Sequence, residues 1–89
     1  MNTRTQEYYK RQIGSRIILM IDTHATMMTC PEPPPHLIRR ILKDVRNIKT
    51  MTAKLNADGI NIATPNEAYD VYAWVNMYQL RLQLEGATT

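Results

Sequence analysis

At 89 residues the chain has room for one modest core but not for a core plus a deep substrate cleft. Hydrophobic residues at 44% and charged residues at 21% exclude a disordered chain, and a net charge of +3 points to no single partner class. Cys30 is the only cysteine, which excludes an intrachain disulfide, and the longest apolar run, Ile17 to Ile21, is far too short to span a bilayer.

The opening residues, Met1-Asn2-Thr3-Arg4-Thr5-Gln6-Glu7, lack the apolar stretch of a secretory leader, so the expected setting is cytoplasmic and away from membranes. There is no phenylalanine, so apolar bulk comes from Ile, Leu, Val, five Tyr, six Met and Trp74. Methionine is a flexible filler that serves both cores and adaptable contact surfaces.

The first helical segment is expected over about 5–28. Thr3 and Gln6 have capping-box spacing, and Tyr9, Ile13, Ile17, Met20, Ile21, His24 and Met28 recur at helical intervals. Gly14-Ser15 interrupts the pattern at a cost of roughly 1 kcal/mol. Arg16 to Asp22 also reads as a short buried strand, but the helical pattern continues on both sides of it. Pro31-Glu32-Pro33-Pro34-Pro35 ends the segment, and 31–35 is expected to be a rigid connector. A proline-rich ligand for an aromatic groove is the alternative use of such a run.

The second segment, 36–57, has Pro35 suited to a first helical position and Asp58-Gly59 as a stop. Ile38, Ile41, Val45, Ile48, Thr52 and Leu55 step by three and four to make an apolar seam. On a helical wheel Arg39, Arg40, Lys43, Arg46 and Lys54 fall within an arc of roughly 120° opposite that seam, forming a stripe about 22 Å long. Residues 35–55 hold six basic residues and one acid, Asp44, which lies off the stripe beside the apolar boundary; residues 56–89 carry a net charge of −3. Surfaces usually intersperse the two signs, because like charges one turn apart repel. The stripe therefore suits an acidic neighbour: nucleic-acid phosphate, an acidic protein surface, or the acidic C-terminal third of this chain or a second copy. A plain solvated face is the bland alternative.

The third segment, 65–85, opens on Thr64-Pro65-Asn66-Glu67, with the spacing of a capped start, and closes at Gly86. Residues 78–85 alternate in a strand-like period, yet Leu, Gln, Arg and Glu are helix formers. Ala68, Val71, Trp74, Val75, Tyr78 and Leu82 form one apolar face, and Tyr69, Ala73, Met77, Leu80 and Leu84 form a second. A helix with two apolar faces is either central in its domain or part of an interface, and self-association through the second face is expected.

No zinc spacing, phosphate loop, nucleophile elbow or clustered carboxylates accompany these features, so neither catalytic residues, a metal nor a cofactor is expected. His24 lies on the apolar side of its segment, which suits a structural histidine. The expected fold is an all-α three-helix domain over 1–89, frayed at 87–89 and paired as a helical homodimer. The expected function is that of a non-enzymatic adaptor or stoichiometric inhibitor, binding an acidic protein surface through the basic stripe. The alternative is a nucleic-acid-binding regulator using the same stripe, although no base-reading or stacking signature lies beside it in the sequence.

Overall fold

All three periodic segments become α-helix in the computed structural model, which describes residues 2–87. Helix α1 spans Thr3–Met27, α2 Pro35–Ala57 and α3 Asn66–Ala87. Both strand alternatives, at 17–21 and 78–85, are helical. Among the described residues there is no strand. Ala87 closes α3, and 88–89, the rest of the end expected to fray, lie outside the described residues.

The helix ends follow the local chemistry, with two corrections. Asn2, not Thr3, caps α1: its side-chain oxygen accepts the Thr5 N–H at 2.8 Å, and its carbonyl accepts the Gln6 N–H at 3.0 Å. Asparagine one residue earlier does the capping, so Thr3 is already inside the helix. At the start of α3, Pro65 lies just outside the helix, and its carbonyl accepts the Ala68 N–H at 3.0 Å.

Helix α2 begins on Pro35, preceded by an extended Pro34, as a proline at the first position allows. It ends in a Schellman turn. Gly59 takes φ +79°, the Ile60 N–H reaches the Leu55 carbonyl at 3.0 Å, and the Gly59 N–H reaches that of Asn56 at 2.9 Å.

Contacts along the helices set their directions. Arg16 meets Asp44 and Tyr9 meets Lys54, so α1 and α2 run antiparallel. His24 meets Trp74, while Met28 at the end of α1 shares a groove with Met77 and Arg81, so α3 runs parallel to α1. The core draws Ile13, Ile17, Met20 and Met27 from α1 and Ile41, Val45, Ile48 and Leu55 from α2. Only Ala68, Val71 and Val75 come from α3. Leu82, expected on this inner face, is exposed, because α1 stops at Met27 and leaves nothing beneath it. Every residue from Gln79 to Gly86 is exposed, so α3 overhangs the body by about 12 Å at the helical rise.

Candidate functional site

Four residues of the basic stripe, Arg39, Arg40, Lys43 and Arg46, stand exposed on the outer face of α2. None of them has an ion pair or a side-chain hydrogen bond among the described residues. The reason lies on the opposite side of the helix. Asp44, the one acid in α2, is only 7% exposed and faces inward. Its Oδ1 accepts a hydrogen bond from Arg16 Nη1 of α1 at 3.1 Å. The acid that could have neutralised the stripe is spent on joining two helices, so the outer face keeps its full positive charge.

Lys54, the fifth residue expected in the stripe, is exposed but engaged. Its Nζ donates to the Tyr9 hydroxyl at 3.5 Å and lies 5.5 Å from the Tyr9 ring centroid, a cation–π arrangement. Tyr8, exposed, packs at a tilt against Tyr9 with ring centroids 5.9 Å apart. The fold thus places an aromatic pair from α1 beside the last turns of the basic face. Tyr8, Gln12, Asn47 and Thr50 line a shallow depression of about 200 Å³ there.

The second expected surface is also on the outside. Tyr69, Ala73, Met77, Leu80 and Leu84 are all exposed along α3, on the side opposite Ala68, Val71 and Val75, with Met77 at the rim of the groove it shares with Met28. Tyr69 is held edge-on against Tyr72, with centroids 6.3 Å apart. Burial, and then the neighbouring Tyr69 hydroxyl, push the Tyr72 phenol above its ordinary pKa.

Where the overhang leaves the body, Met28, Cys30, Pro33, Trp74, Tyr78 and Arg81 line an apolar groove of about 340 Å³. Trp74 and Tyr78 stack with centroids 5.2 Å apart and planes 10° from parallel, and His24 meets Trp74 edge-on at 5.8 Å. His24 Nε2 is buried with no hydrogen-bond partner among the described residues. Cys30 Sγ lies 3.7 Å from the Thr26 carbonyl. Among the described residues, no three His, Cys, Asp or Glu side chains are grouped as metal ligands, and no helix is long and apolar enough to cross a membrane.

Comparison with protein-family models, curated proteins and solved structures gives no match to this chain. The chemistry of its surfaces must carry the functional reading.

Local pattern did not reveal the Arg16–Asp44 pair or the Tyr9–Lys54 contact. A signal for the first existed: Arg16 sits on the arc of Ile13, Ile17 and Met20, and Asp44 borders the arc of Ile41 and Ile48. Opposite charges on two apolar arcs have each other as the natural partner. Tyr9 and Lys54 are 45 residues apart in the chain, and only tertiary packing joins them.

Proposed function

We propose that this chain is a non-catalytic binding protein, an adaptor or stoichiometric inhibitor that occupies an acidic surface of a larger cytoplasmic protein. The observation that carries this reading is the unpaired state of Arg39, Arg40, Lys43 and Arg46, with Asp44 withdrawn to Arg16. Four like charges in two turns repel one another, and an acidic surface relieves that repulsion while steering the encounter. Self-association through the outer face of α3 is part of the same reading, because an exposed row of Tyr, Met and Leu suits an interface core.

A nucleic-acid-binding role is the second reading, and one observation favours it. Tyr8 and Tyr9 lie next to Lys54, so an aromatic platform does neighbour the charge in three dimensions.

One experiment separates the two. The tagged chain is recovered from the cell that makes it, with and without nuclease, beside an Arg39→Glu, Lys43→Glu double variant. A nuclease-resistant protein partner lost in the variant, with the helical spectrum unchanged, is the expected result, since exposed charges add little to folding. A nuclease-sensitive association, with binding to duplex or single strands that weakens steeply with salt, would establish the second reading instead. If charge reversal changes no association, the stripe is a solvated face.

A further inference from the structure

The outer side of α3 carries a row, Ala73, Met77, Leu80 and Leu84, spaced by four, three and four residues and continuing onto the overhang. That is the a/d spacing of a helix–helix seam, and its residues are exposed on the side of α3 opposite Ala68, Val71 and Val75, with Met77 at the rim of the groove beside Met28. Tyr69, Met77, Leu80 and Leu84 are between 48% and 66% exposed.

We propose that this face pairs with the same face of a second copy, antiparallel, with the two-fold axis between Met77 and Leu80. The proposal rests on the reading that α3 self-associates and goes further by fixing the orientation. About this axis Met77 opposes the second copy's Leu80, and Ala73 opposes its Leu84. Small Ala73 against large Leu84 fills each outer layer with one bulky side chain.

Charge selects the antiparallel arrangement. Asp70 is seven residues before Met77, so it continues the same row. A parallel, in-register pair would bring the two Asp70 carboxylates face to face at the seam, where like charges repel. Antiparallel pairing moves each Asp70 beyond the last layer and leaves Arg81 on one flank of the seam. Asn76 and Gln83 meet on the other flank as neutral amides.

The area fits a weak, reversible pair. Each of the three large side chains in the row offers about 100 Å². With Ala73 and the stems of Asn76, Arg81 and Gln83, each copy covers roughly 400 Å² and the pair about 800 Å², the size of a transient contact rather than a permanent one.

Leu80 and Leu82 provide the sharp test, being 48% and 47% exposed on opposite sides of the same overhang. Sedimentation equilibrium on the full chain should show a dimer. Leu80→Asp should weaken it roughly tenfold or more, the equivalent of one lost apolar contact, while Leu82→Asp leaves it intact. A nitroxide on Asn66→Cys, in a Cys30→Ser background, should then give a label separation of about 38 Å across the antiparallel pair. A dimer with labels closer than about 20 Å would overturn the antiparallel seam and leave self-association standing. Dissociation by Leu82→Asp but not by Leu80→Asp would place the interface on the wrong side and overturn the proposal. A chain that stays monomeric at millimolar concentration would overturn both the seam and the self-association reading.

Discussion

The α1–α2 pair and the seat of α3 are two ways of joining helices within one small protein. The first is deep: eight large apolar side chains interlock along most of both helices, and the Arg16–Asp44 pair pins the register. The second is narrow, resting on Ala68, Val71 and Val75 with Trp74 and Tyr72 half-buried at its margins. Small residues let α3 approach closely but bury little area. The contrast shows how one chain can pair a firm body with a helix whose outer face is left for other contacts.

The largest expected effect tests the deep joint. Ile41 is fully buried, and Ile41→Ala should cost about 2–5 kcal/mol in chemical denaturation, whereas Val71→Ala should cost about 1–2 kcal/mol. Equal losses at the two sites would erase the distinction between the joints. Next in size is the ion pair. Asp44→Ala strands the Arg16 guanidinium and should cost about 1–3 kcal/mol, the range being held down by Arg16's partial exposure. A double variant, Arg16→Met with Asp44→Leu, should recover most of that loss; no recovery would mean that the pair does more than join two apolar arcs.

Smaller again is Gly59→Ala. Open space surrounds the position, so only the left-handed backbone resists a methyl group, at about 1 kcal/mol. A neutral substitution there would show that the turn after α2 relaxes without loss.

At the margin of α3, the raised pKa of Tyr72 gives a pH signature. The folded state favours the neutral phenol, so its contribution is complete below the ordinary tyrosine value of about 10 and is lost as pH rises through the folded value. Thermal melts should show a steeper alkaline decline for the parent chain than for Tyr72→Phe. Identical declines would detach the effect from this residue. The smallest effect belongs to the overhang: Leu82→Ala should change monomer stability by less than about 0.5 kcal/mol, as for other surface positions. A larger loss would mean that Leu82 is covered.

Much of this architecture is legible in the sequence. Three periods of three and four residues, Pro35 and Gly59 mark helices and breaks, and the seam Ile41, Val45, Ile48, Leu55 is buried as its spacing demands. The exposed position of Arg39, Arg40, Lys43 and Arg46 also follows from the wheel. What the wheel cannot carry is where a neighbouring helix ends. Leu82 shares its arc with Val71 and Val75 and differs from them only in lying past the end of α1. Nor does periodicity report a contact between arcs, which is why Asp44 reads as a boundary residue and Lys54 as a free cation. Both have partners on α1, 28 and 45 residues away in the chain.

The parallel setting of α3 on α1 also has a kinetic consequence. The antiparallel pair can zip from its connector outward, because its contacts start between residues close in sequence. The seat of α3 joins His24 to Trp74 across 50 positions and places Val75 beside Val45 of α2, so it does not exist until that pair has formed. Closing the longer loop first would cost chain entropy with nothing to offset it. Substitutions at Met20 or Ile48 should therefore slow refolding, while those at Val71 or Val75 should chiefly speed unfolding. Stopped-flow measurements on these four positions would reveal the order, with α3 the last helix to arrive and the first to leave.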